Sequence, residues 1–193
     1  MDKLQAKAKV DKNIYIHNDL ANTAFYFAKR VKERAEKGDR DGIGHDMMAC
    51  LVMLAFTVEA QFNFLGFKLI NDWNEKDGAL AKAHAVLKVL ETDNDLSTRP
   101  YKTIQDLKNL RDMLAYGKPK EAKWEETVVA TEAELAKHGA LNADYEEYLT
   151  DAFVVQAQED VDSIWKELLK RAGLKITDTI TSGGIEYTIA EKA

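Results

Sequence analysis

Apolar side chains in this chain recur at helical spacing for most of its length, and then at strand spacing. From Asn18 to Glu36, Leu20, Ala24, Phe27, Ala28 and Val31 lie three or four positions apart or adjacent on one face, which predicts an amphipathic helix with Asn18 or Asp19 as its cap. Gly38 to Gly44 predicts a loop. A second helix, from about Asp46 to Trp73, is apolar nearly all round in its first part, so it is expected to be buried on several sides. After Gly78, Ala79 to Leu90 is a good helix by propensity. Thr92 to Pro100 is polar and turn-rich. The next helix starts around Pro100 and ends at Gly117, with Pro119 blocking its continuation. Trp124 to Ala130 reads as a short strand or an irregular crossing. Asp144 to Arg171 predicts the last long helix, with Tyr148, Ala152, Val155, Val161, Trp165 and Leu168 along its stripe and Gly173 as its stop. The period then changes: Leu174, Ile176 and Ile180 alternate with polar residues, Ser182-Gly183-Gly184 turns, and Ile185, Tyr187 and Ile189 alternate again, a β-hairpin signature. The expected fold is all-α: a four- to five-helix up-and-down bundle over residues 1–173, with a small C-terminal β-hairpin over 174–193 appended to the same domain.

Composition agrees with one soluble domain. The chain has 193 residues, 46% hydrophobic and 31% charged, with two prolines and ten glycines, which argues against disorder. A net charge of -6 gives no global basic footprint, which weighs against a nucleic-acid coat protein and leaves a local basic site open. The single cysteine, Cys50, excludes an intrachain disulfide and a cysteine zinc cluster; in its apolar context it reads as a small core residue. The first seven residues lack the apolar segment of a secretory signal, so cytoplasmic residence is the expectation. Met47 to Phe67 carries Glu59 as its single charge and tempts a membrane assignment, but Glu59, Gln61 and Asn63 cluster in its second half, where a carboxylate in the bilayer costs several kcal/mol. A central core helix is expected instead, with no membrane partner.

The candidate chemistry centres on Leu110-Arg111-Asp112-Met113-Leu114-Ala115-Tyr116-Gly117-Lys118-Pro119. Ile104, Leu107, Arg111 and Leu114 share one helix face, so a permanent cation occupies a core-facing slot, which is costly unless a carboxylate or an anionic ligand meets it. Glu59 invites a salt bridge with Arg111; such a pair either clamps the bundle or aims the guanidinium at a phosphate, for which its planar fork is suited. Asp112 could orient Arg111. Lys118, Lys120 and Lys123 are phosphate contacts on one reading and a solvated loop balanced by Glu121, Glu125 and Glu126 on the other, which is preferred. Lys29, Arg30, Lys32, Arg34 and Lys37 form a charged outer helix face diluted by Glu33 and Glu36. His17, His45, His84 and His138 read as surface or capping residues. No metal-ligand spacing stands out and no cofactor is implied. Phe62, Phe64, Phe67 and Trp73 are expected in the core or at a dimer interface.

The stretch from Leu110 to Pro119 resembles the arginine–histidine motif of HEPN-domain proteins, small helical bundles that include metal-independent ribonucleases of toxin and abortive-infection systems. Ala55 to Asn63 is similar to that family's glutamate-bearing helix, and the resemblance covers about residues 45–118. It implies catalytic roles for Arg111, Tyr116 and Asp112, substrate contacts from Lys118 and Lys120, and orienting or structural roles for Glu59 and Asn63. It also implies RNA as ligand, a homodimer with the motif at its interface, and a cognate antitoxin or nucleotidyltransferase-like partner. Tyr116 stands where active members have histidine. Histidine titrates near the operating pH, whereas tyrosine, near 10, is a poor general base, so the resemblance implies an RNA-binding or degenerate ribonuclease role with weak or absent activity. The alternatives are a non-enzymatic helical interaction module in which Glu59–Arg111 is a salt bridge, and an enzyme acting on a small phosphate compound.

Overall fold

A computed structural model describes residues 5–92, 95–121, 123, 125–135 and 143–189. The helical segments are α1 (His17–Glu36), α2 (Ile43–Leu69), α3 (Ala79–Val89), α4 (Lys102–Tyr116), the single turn α5 (Glu132–Leu135) and α6 (Asp151–Ala172), with 3-10 turns at Asp144–Tyr148 and Ile176–Thr179. Two strands complete the fold, β1 (Ala6–Asn13) and β2 (Ser182–Ile189). The all-α bundle of four to five substantial helices with a two-stranded antiparallel element is therefore the architecture found.

The centre of the bundle is α2, which packs against α1, α3, α4 and α6. Its near-continuous apolar sequence follows from that position: Met47, Cys50, Leu51, Leu54, Val58, Phe62 and Leu65 are all buried. By length and composition α2 could cross a membrane, with a mean hydropathy of 1.6, and half of that window is buried inside the protein. Gly66 lets the helix meet Trp73 closely. A Cβ there would stand 2.3 Å from the indole, well inside van der Waals contact. Gly66→Ala should therefore displace Trp73 and cost about 1–3 kcal/mol by overpacking, read as a lower midpoint in urea unfolding.

Several boundaries differ from the sequence expectation, each for a local reason. Helix α1 starts at His17 with no side-chain cap, because the Asn18 amide instead donates to the Thr179 carbonyl at 2.6 Å. The last helix starts at Asp151 and not at Asp144: Thr150 is its cap, its hydroxyl accepting from the Phe153 N–H at 3.1 Å. That later start resets the phase, so Val154, Ala157, Val161, Ile164 and Leu168 form the buried stripe while Val155 faces outward. Trp124 lies outside the described residues, and 125–130 have no regular secondary structure.

The β element has a different partner from the one expected. Residues 176–179 form a 3-10 turn, held by the Lys175 N–H on the Asp178 carboxylate and by the Thr179 hydroxyl on the Ile176 carbonyl. Strand β2 pairs instead with β1, antiparallel from Ala6 opposite Ile189 to Asn13 opposite Ser182. The two-stranded unit thus joins the two ends of the described chain and is not a hairpin of 174–193.

Candidate functional site

Arg111 sits near the end of α4 at the margin of its apolar stripe. Ile104, Leu107 and Leu110 are buried, whereas the Arg111 side chain is 24% exposed. Its Nη1 donates to Glu59 Oε2 on α2 at 3.0 Å, and its Nη2 is 3.0 Å from Asp112 Oδ1. The expected Glu59–Arg111 bridge is present, at the edge of the core and not deep within it.

The network is larger than the sequence reading. Lys82 on α3, with its side chain 3% exposed, donates to the other Glu59 oxygen at 3.0 Å. Lys108 donates to Asp112 Oδ2 at 2.7 Å. Glu59 therefore holds one buried lysine and one arginine and ties α2 to both α3 and α4. The small crevice beside it, lined by Ala55, Val58, Phe62, Ala79, Ile104 and Lys108, leaves room for about one water. Lys82 was missed although its signal was present: it falls between Ala79, Ala83 and Val86 in the buried stripe of α3, the same anomaly that marks Arg111.

The other motif residues are not drawn together around Arg111. Tyr116 is five positions further along α4, about 140° round the helix, and is 73% exposed. Asn63 follows Glu59 by one turn of α2, with its Oδ1 buried and without a hydrogen-bond partner. Lys118 is exposed, and Lys120 pairs with Asp144. On the far side of Asp112 an open groove of about 590 Å³ is lined by Asn109, Met113, Tyr148 and three carboxylates, Asp112, Asp144 and Glu147. Two of these carboxylates are already ion-paired, Asp112 with Arg111 and Lys108 and Asp144 with Lys120, so the wall carries little uncompensated charge. Of the phenylalanines, Phe62 and Phe64 are core and Phe67 is exposed.

Two charged clusters elsewhere among the described residues follow the same rule as Glu59. Asp46, buried at the start of α2, lies 3.2 Å from Arg30 Nε and 3.3 Å from Arg34 Nε, so two members of the supposed outer face of α1 turn inward. Asp160 on α6 is buried and accepts from Arg99 Nε at 3.0 Å, Arg99 Nη2 at 2.8 Å and the Thr103 hydroxyl at 2.6 Å. Cys50 is core, as expected, with its thiol pushed up to about 12 by burial.

His17 departs from its expected place at the surface. It is 2% exposed, packed against Phe64 and Trp165, with Nε2 lacking a partner. Burial lowers its pKa to about 4, against a smaller upward pull from Asp19. The folded chain then binds fewer protons than the unfolded chain between about pH 6.5 and 4, so stability should fall as pH drops through that window. The His17 contribution is on the order of 3 kcal/mol, at roughly 1.4 kcal/mol for each pH unit between the two pKa values. His17→Phe should flatten this part of the profile in urea unfolding at stepped pH; an unchanged slope would contradict the assignment. Among the described residues, no group of three or more His, Cys, Asp or Glu side chains could hold a metal ion.

Comparison with known proteins finds no match among family models, curated proteins or solved structures.

Proposed function

We propose that this chain is a HEPN-like interaction module that binds rather than cuts, with Arg111 serving as a clamp between helices. The observation that carries this reading is the closure of the guanidinium, by Glu59 on one side and Asp112 on the other. A catalytic arginine must meet the scissile phosphate and share a cleft with the proton-transfer group. Here the arginine is occupied and Tyr116 lies on a different part of the helix surface.

A second reading keeps RNA as the ligand. Lys82, Lys108 and Arg111 outnumber Glu59 and Asp112 in the network, and Lys118 is exposed nearby. That surplus of positive charge favours weak, strongly salt-dependent binding of single-stranded RNA. A homodimer and a cognate antitoxin or nucleotidyltransferase-like partner accompany this reading as proposals of the same standing.

Cleavage of a labelled single-stranded RNA tests the choice. Wild type and Tyr116→His should both leave it intact, because restoring a histidine does not release Arg111. Cleavage gained by Tyr116→His, or wild-type cleavage abolished by Arg111→Met, would overturn the clamp reading in favour of a ribonuclease.

A further inference from the structure

One face of α1 carries more positive charge than its neighbours absorb. Tyr26, Lys29, Arg30, Glu33, Arg34 and Lys37 recur every one to four positions along it. With Asp39 of the following loop they line an open groove of about 430 Å³, within the roughly 300–1,000 Å³ of clefts that hold small molecules. Lys29 lies 3.7 Å from Glu33 and Arg34 3.5 Å from Asp39, while Lys37 has no ion partner among the described residues. Counting Asp46 beneath the groove, the four cations Lys29, Arg30, Arg34 and Lys37 face the three carboxylates Glu33, Asp39 and Asp46.

Asp46 also fixes the two arginines. Its side chain is 10% exposed, and its oxygens lie 3.2 Å from Arg30 Nε and 3.3 Å from Arg34 Nε. Arg30 Nη1 donates to the Tyr26 hydroxyl at 3.4 Å, and Arg34 Nη1 to the Asp41 carbonyl. Among the described residues, the Nη2 group of each arginine has no partner. Both side chains are thus held in place with a donor group to spare. The Tyr26 ring beside them is 55% exposed, set at 77° against Phe27 and 5.8 Å from Arg30 Cζ.

We propose that this groove binds a nucleoside monophosphate, with the phosphate on Arg30 and Arg34 and the base against Tyr26. The inference does not rest on the reading of Arg111, with which it shares no residue. One helical turn, about 6 Å, separates Tyr26 from Arg30 and Arg30 from Arg34, which suits a base and a phosphate joined through one ribose. A guanidinium presents paired donors that match phosphate oxygens, and Lys37 adds charge. Arg30 lies before the last turn of α1, where the helix dipole would oppose an anion. A partly fixed aromatic face offers stacking at little ordering cost. From Tyr26 to Lys37 the groove runs about 17 Å along the helix. It offers one ring, whereas a groove for a nucleic-acid strand stacks successive bases on successive rings. A mononucleotide is therefore the occupant that fits.

Equilibrium dialysis of the full chain against adenosine 5′-monophosphate tests this. The Kd should be on the order of 100 µM, as suits an open groove, and should rise with added salt. Adenosine alone and inorganic phosphate alone should each bind about tenfold more weakly, since each lacks one anchor. Tyr26→Ala should weaken nucleotide binding roughly tenfold, toward the value for inorganic phosphate. Arg30→Lys keeps a cation on Asp46, so it should retain the wild-type helical circular dichroism while losing roughly tenfold in affinity. No retention of nucleotide by the wild type at millimolar concentration would overturn the proposal. So would inorganic phosphate binding as tightly as the nucleotide, affinity unchanged in either variant, or a short single-stranded RNA binding an order of magnitude more tightly than the mononucleotide.

Discussion

Glu59→Leu should destabilise the fold by about 3 kcal/mol, seen as a lower urea midpoint with an unchanged slope. The cost comes less from the lost attraction than from the cations left behind. Lys82 would be stranded with its side chain 3% exposed, and Arg111 would keep only Asp112. Lys82→Met should be mild, within about 1 kcal/mol, because Glu59 retains Arg111 and its own 26% exposure to water. The asymmetry is the informative part: equal losses from the two variants would contradict a network centred on Glu59. The two-residue exchange Glu59→Leu/Arg111→Met is not neutral on this account, since it still buries Lys82 without a counter-charge.

Asp160→Ala should cost about 2–3 kcal/mol, the second large effect. It removes a bidentate partner of Arg99 and leaves the fully buried Thr103 hydroxyl without its acceptor. Arg99 itself is 55% exposed and can rehydrate, which limits the loss. Asp160→Asn keeps an acceptor for Thr103 and should cost about half as much. Calorimetric midpoints of the two variants check the order; Asn as damaging as Ala would show that the charge, and not the buried hydroxyl, dominates.

Much of the fold was legible because burial imposes a period. The long helices announced themselves by their stripes, and Gly117 and Gly173 by the left-handed conformation that ends a helix, with φ of 48° and 66°. Less legible were features set by pairing across the chain. β1 shows the period of two in Ala6-Lys7-Ala8-Lys9-Val10, yet nothing local says that its partner is β2 and not 174–180. The charges divide in the same way. Arg111 stood out as a cation in an apolar stripe, and Lys82, Asp46 and Asp160 carry that same mark in their own helices. Each finds a counter-charge on another element, which spacing within one helix cannot reveal. Glu59 and Arg111 do meet across α2 and α4, whereas Tyr116, five positions further on, is carried about 140° round the helix from Arg111 within one chain.

The most direct test of the clamp is equilibrium unfolding of Lys82→Met/Glu59→Leu/Arg111→Met. If the network only holds three helices together, replacing all three ions with apolar side chains of similar size should leave stability within about 1 kcal/mol of wild type, or raise it. A triple variant as unstable as Glu59→Leu alone would contradict the account.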